Sequence, residues 1–176
     1  MSAGAVAIRL SKIVMTGGIG FWAFLVVLGN VTDYDSNWAF VQHVLAMDTI
    51  FPGSQLTWRA ITDPTLQTAA YWAIIATEAM TCLAFLAATW VMATKLRASK
   101  AEFQSARVPL AIGVALGFAL WFIGFMAVGG EWFAMWQSKT WNGQDAAFRF
   151  YVTILAVAVY VFLDTDGDTD RRPRDS

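Results

Sequence analysis

One cysteine, one histidine and few charges set the outer limits on this chain. Cys82 stands alone, so no intramolecular disulfide can form. His43 stands alone too, which excludes bis-histidine haem ligation and a histidine-rich metal site. Charged residues are 14% of the sequence and nearly cancel, to a formal net charge of -1. That balance gives no basis for nucleic-acid binding. The scarcity itself excludes an ordinary soluble domain, because the charges fall in clusters between uninterrupted apolar runs.

Those runs are what the chain has instead. Ile13 to Val31, Ala69 to Ala93, Leu110 to Gly129 and Ala146 to Leu163 are each long enough, at about 1.5 Å per residue, to cross a hydrocarbon layer of about 30 Å. The expected fold is therefore all-α and integral to the membrane: a four-transmembrane-helix bundle over residues 1–163, with a tail at 164–176. Arg9 and Lys12 precede the first run, Lys95, Arg97, Lys100 and Arg107 fill the second connection, and Arg171, Arg172 and Arg174 close the tail. The opposite side has Arg59, Lys139 and Arg149. By the positive-inside rule both termini are expected in the cytoplasm, with the first and third connections in the periplasm. The first run continues through Gly29-Asn30-Val31 without a small-x-small cleavage site, so an uncleaved anchor is expected rather than a signal peptide.

The first connection, residues 32–64, is long for so small a membrane protein, and its apolar residues keep helical spacing. Asp33, Asp35 and Asn37 alternate as in a calcium loop, but Trp38 stands where the turn glycine belongs and Val44 where the bidentate acid belongs. The spacing instead predicts a short helix from Trp38 to about Asp48, capped by Ser36 or Asn37. Trp38, Val41 and Leu45 share one face, as in a helix lying in the interface plane of a periplasmic cap. His43 on its flank reads first as a hydrogen-bonding residue and second as a ligand or relay. Phe51-Pro52-Gly53 ends the helix in a turn.

Asp63 and Pro64 are an N-cap and first helical position for the second span. Along that span Tyr71, Glu78, Cys82 and Thr89 form one polar stripe, with Glu78 about 14 Å below Ala69. An isolated carboxylate at that depth costs several kcal/mol, and no basic residue lies at matching depth, so Glu78 is expected to be neutral and to donate a hydrogen bond. The indoles of Trp22 and Trp121, the hydroxyls of Thr81, Tyr71 or Thr153, or a trapped water are its candidate partners. A proton relay or ligand contact and a plain interhelical tie fit the residue equally well. Gly17, Gly18 and Gly20 in the first span, and Gly113, Gly117 and Gly124 in the third, are close-packing positions, the latter facing either another span or a partner helix.

At the outer end of the third span, Glu131, Trp132, Trp136, Gln137 and Asn142 follow one another closely. Trp132 and Trp136 are placed one turn apart, which an aromatic belt at headgroup level explains. A belt does not require the interleaved Glu131, Gln137 and Asn142. Asp145 is expected to cap the fourth helix and to pair with Arg149, or Arg149 pairs with Glu131. The alternating acids of 164–170, followed by arginines, read as a self-compensating disordered tail.

Asn37-Trp38-Ala39-Phe40-Val41-Gln42-His43 through Met47-Asp48, Trp58-Arg59-Ala60-Ile61, Tyr71 to Glu78, and Gly130-Glu131-Trp132 through Trp136-Gln137-Ser138 with Trp141-Asn142-Gly143 resemble the bacterial family of predicted small integral membrane proteins, domain of unknown function two-one-six-five. The resemblance runs from the first span to Leu163 and implies a four-span protein of the inner membrane. It implies no activity.

No catalytic constellation and no cofactor follow from these residues. The first functional reading is a non-enzymatic accessory or binding protein whose periplasmic surface contacts a membrane complex, a second copy of the chain, a lipid or a quinone headgroup. Arg59, Trp132, Trp136, Gln137 and Asn142 suit such a surface. The second is a small proton-coupled transporter using Glu78 with Tyr71. The third is a cation site at the outer face built from His43, Asp48 and Glu131.

Overall fold

The computed structural model describes residues 1–163, so the expected disordered tail at 164–176 lies outside the described residues. Among the described residues all regular structure is helical, and four helices are long and apolar enough to cross a membrane.

Helix α1 spans Ala3–Thr32, beginning ten residues before the apolar run does. Ser2 starts it by accepting a hydrogen bond from Ala5 N at 3.2 Å on its side-chain oxygen. The early start changes the meaning of the first basic residues. Arg9 and Lys12 fall on the helix face that also carries Ala5, Ile13 and Thr16, and both are buried. Arg9 Nη1 donates to Leu96 O at 3.1 Å and Ala98 O at 2.7 Å, and Lys12 Nζ donates to Leu163 O at 2.7 Å. These cations satisfy backbone carbonyls of the second connection and of the residue that follows the last helix. They are internal ties as well as topology signals.

Helix α2, Tyr34–Ala46, follows α1 after the single residue Asp33. It therefore begins four residues earlier than expected, and neither Ser36 nor Asn37 caps it. Asp33 is the N-cap residue without a side-chain capping bond, and Asn37 Nδ2 donates to Asp33 O at 2.9 Å from inside the first turn. The expected apolar face is present: Val41 is buried against Tyr71 and Ile75, with Trp38 and Leu45 beside it. Trp38 Nε1 also donates to Thr68 Oγ1 at 3.2 Å. The helix stops at Met47, which holds a left-handed conformation at φ 53° although it is not glycine. Met47 is buried with Phe133 and Ala134, and that packing holds the unfavourable backbone in place.

Helix α3, Pro64–Thr94, has the expected start: Asp63 accepts from Thr65 N at 2.7 Å and Leu66 N at 3.1 Å. The second connection contains a short helix α4, Lys100–Ser105, with a capping box between Ser99 and Glu102. Helix α5, Val108–Phe118, continues from Ala119 to Trp132 as a wider π-type winding. A residue in left-handed geometry, Ala134 at φ 53°, and a single 3-10 turn at Met135–Gln137 follow. Trp132 and Trp136 consequently do not sit one helical turn apart. Helix α6 is Gln144–Phe162.

Helix α3 lies against both α1 and α5, and α6 lies against the third span and α1, which closes the four-helix arrangement. Phe85, Met92, Leu110, Trp121, Ile154 and Val161 fill its centre. The expected glycine positions explain the tight approaches. A methyl at Gly20 would come within 2.9 Å of the Leu86 side chain and 3.2 Å of its backbone N, and one at Gly113 within 2.9 Å of the Phe85 ring. Gly117 faces Ile154 of α6, so both glycines of the third-span motif serve contacts inside the bundle.

Candidate functional site

Glu78 is 2% exposed, at the middle of α3. Its partner is a residue that the sequence reading assigned only to the end of the first span: Asn30 Nδ2 donates to Glu78 Oε2 at 2.7 Å. Tyr71 OH donates in turn to Asn30 O at 2.8 Å. None of the expected partners except Tyr71 belongs to this group, and Tyr71 joins it through Asn30. Thr81 donates to Thr77 O and Thr153 to Arg149 O, each along its own helix. Trp22 and Trp121 stack on Phe150, with ring centroids 3.8 and 4.8 Å away. Glu78 accepts from Asn30 through Oε2. The missed signal was Asn30 itself: an amide one residue before the end of an apolar run reads as a helix stop, yet α1 continues through it to Thr32.

A cavity of about 220 Å³ opens beside this group. Its wall draws on all four spanning segments and on α2, through Asn30, Asn37, Tyr71, Glu78, Trp121 and Phe150 among others. A second, apolar pocket of about 260 Å³ adjoins it, with Leu120, Val128, Phe133 and Met135 among its lining residues. The two share Phe40, Val41, Ile74 and Phe125. Phe40 and Phe125 stack at 6.2 Å on this common wall. Helix α2 is what closes the site, since it brings Asn37 and Phe40 over Tyr71 and Glu78.

The remaining candidates lie where the first connection meets residues 132–142. Arg59 sits between two indoles, its guanidinium carbon 5.3 Å from the Trp58 ring and 4.6 Å from the Trp132 ring, and its Nη1 donates to Trp132 O at 3.2 Å. Trp136 meets Phe51 edge to face at 5.8 Å, and Gln137 Oε1 accepts from Phe51 N at 3.1 Å. Asn142 Oδ1 accepts from Gln144 N at 3.0 Å, so Asn142 rather than Asp145 meets an N–H at the start of α6.

His43 and Asp48 come together, with Nδ1 to Oδ2 at 2.7 Å, and His43 stacks on Trp141 at 4.7 Å. Glu131 is exposed and makes no ion pair with His43 or Arg149, and Arg149 makes none with Asp145. Among the described residues no three His, Cys, Asp or Glu side chains are placed to hold a metal ion, so His43, Asp48 and Glu131 do not assemble the expected cation site.

Four apolar helices around a core of rings and small residues define a multi-pass α-helical membrane protein. The chain belongs to the family of predicted small integral membrane proteins of unknown function that its sequence resembles, matched over residues 8–164. No curated protein and no solved structure matches it.

Proposed function

We propose that this chain is a non-enzymatic binding protein of the bacterial inner membrane that takes an amphiphile, of lipid or quinone size, into the cavity beneath α2. One observation carries the reading: the Glu78–Asn30–Tyr71 group opens on a cavity where a few polar side chains stand among apolar ones, and that cavity shares a wall with an apolar pocket. A polar end and an apolar end side by side suit an amphiphile, in line with ligand sites that are mostly apolar with a few placed polar groups.

The orientation follows from charge. Six basic residues, Arg9, Lys12, Lys95, Arg97, Lys100 and Arg107, gather at the end that carries the N-terminus and the second connection, against Arg59, Lys139 and Arg149 at the other. The termini are then cytoplasmic, and α2 with residues 47–63 forms a periplasmic cap on a membrane domain of residues 1–163. Arg59, Trp132, Trp136, Gln137 and Asn142, with the His43–Asp48 pair, form the outer surface at which a membrane-protein partner or a second copy docks.

The test is mass spectrometry of the protein released from native membrane in a mild non-ionic detergent. One amphiphile per chain is expected. Ala146→Phe, which enlarges a side chain on the cavity wall, should lose it. A chain that carries no amphiphile, and whose melting temperature added membrane lipid does not raise, would sink the proposal.

A second reading has its own support, since Glu78 is a buried acid with a neutral partner inside a span. In it the protein is a small proton-coupled carrier, and Glu78→Gln abolishes a proton-linked flux in proteoliposomes. Unchanged flux in that variant excludes it.

A further inference from the structure

Building on the amphiphile reading, we infer that the polar end of the ligand is an ammonium group, held by Glu78 in a cavity lined by aromatic residues.

Donor and acceptor accounting points there. Glu78 Oε2 is occupied by Asn30, while Oε1 takes no hydrogen bond from the protein and is not among the sealed, unsatisfied atoms. With the side chain lining the cavity, that oxygen is the acceptor offered to an occupant. On the same wall Asn30 Nδ2 donates to Glu78, Asn37 Nδ2 to Asp33 O and Tyr71 OH to Asn30 O. A phosphate or carboxylate would need a cation. The lining contains no Lys, Arg or His.

The rest of the wall suits a cation. Phe40, Tyr71, Trp121, Phe125 and Phe150 all contribute to it. Ring faces attract an ammonium, more strongly when water is excluded. A buried carboxylate and an ammonium compensate each other's desolvation when both are hydrogen bonded, which neither achieves alone. The alkyl part of the ligand follows the shared wall of Phe40, Val41, Ile74 and Phe125 into the apolar pocket. The same chemistry is available from a free lipophilic amine and from the ammonium of phosphatidylethanolamine, whose phosphate then lies outside this lining.

The experiment titrates the full chain in maltoside micelles with octylammonium, octanol and octanoate, three probes of equal chain length, and follows tryptophan emission from the Trp22–Phe150–Trp121 stack. Octylammonium should bind at least about tenfold tighter than octanol, a difference of roughly 1.4 kcal/mol, and octanoate should bind weakest. In Glu78→Gln the preference for octylammonium over octanol should shrink to about twofold or less. Equal binding of octanol and octylammonium to the unmodified chain overturns the ammonium assignment alone and leaves the amphiphile reading standing. Failure of all three probes, in a chain that also carries no native amphiphile, overturns both. The comparison within the unmodified chain decides the matter even if Glu78→Gln does not fold. Phosphatidylethanolamine that co-purifies and is displaced by octylammonium identifies the headgroup as the source; octylammonium binding without such a lipid identifies a free amine.

Discussion

At the residue scale, Asn30 is the position on which the polar interior depends. Its side-chain amide donates to Glu78 and its backbone carbonyl accepts from Tyr71, so one residue joins α1 to two levels of α3. Asn30→Leu leaves the Glu78 carboxyl without that partner, and a buried polar group without a partner costs about 1–3 kcal/mol. The melting temperature in detergent should fall by several degrees, and an unchanged melt would show that the tie bears no weight. Asp63 offers a pH test outside the spans. The N–H groups of Leu66 and Thr65 hold its carboxyl below the ordinary carboxylate range. A lowered acid stabilises the folded state while ionised, so its contribution is full above about pH 4 and is lost as pH falls through its folded value. Asp63→Asn cannot titrate, so the stability gap between the unmodified chain and this variant should narrow from pH 6 to pH 3. A constant gap would refute the linkage.

At the scale of elements, the glycines show how closely sequence and packing correspond. Gly17, Gly18 and Gly20 look alike in the sequence, yet a Cβ at Gly18 would meet nothing within 4 Å, whereas at Gly20 it would crowd Leu86 side chain and backbone together. Gly20→Val should force α1 away from α3, at a cost of about 1–3 kcal/mol, while Gly18→Val should leave the melt unchanged. Equal shifts in the two variants would disprove this account of the α1–α3 contact. Helix α2 was visible from its apolar spacing, but its start was not, because Asp33, Asp35, Ser36 and Asn37 offer four side chains able to cap. The continuous packing of α1 into α2 settled the boundary at Asp33 without any of them capping. The wide winding from Ala119 to Trp132 left no periodic trace in a segment apolar on every side, and with it went the expected register of Trp132 and Trp136.

At the scale of the whole molecule, the two ends are built differently. At one, buried cations close the bundle: besides Arg9 and Lys12, Arg107 Nη1 donates to Val161 O at 3.0 Å and Phe162 O at 3.3 Å. At the other, α2 lines the cavity, and the loops around Trp58 and Trp132 meet each other. The proposed orientation is open to direct measurement because the native thiol, Cys82, is buried. Gln55→Cys, on an exposed position of the first connection, should react with a membrane-impermeant maleimide in intact spheroplasts. Ala101→Cys, exposed at the start of α4, should react only after permeabilisation. The reverse pattern would place the proposed cap in the cytoplasm.

The sequence by itself determined that this is a four-span helical membrane protein of a recognisable family, because span length, apolar composition and the Asp63-Pro64 helix start are local properties that lipid and backbone hydrogen bonding impose on any chain. It also singled out Glu78, because an acid inside an apolar run is conspicuous. Only the tertiary structure decided what Glu78 meets. Asn30, Asn37, Trp121 and Phe150 are spread over four segments of the chain, and their meeting depends on which faces α1, α2, the third span and α6 turn toward α3. In runs that are apolar all round, spacing does not encode that choice. Small-residue contacts, such as Gly20 on Leu86 and Gly117 on Ile154, make it by close packing.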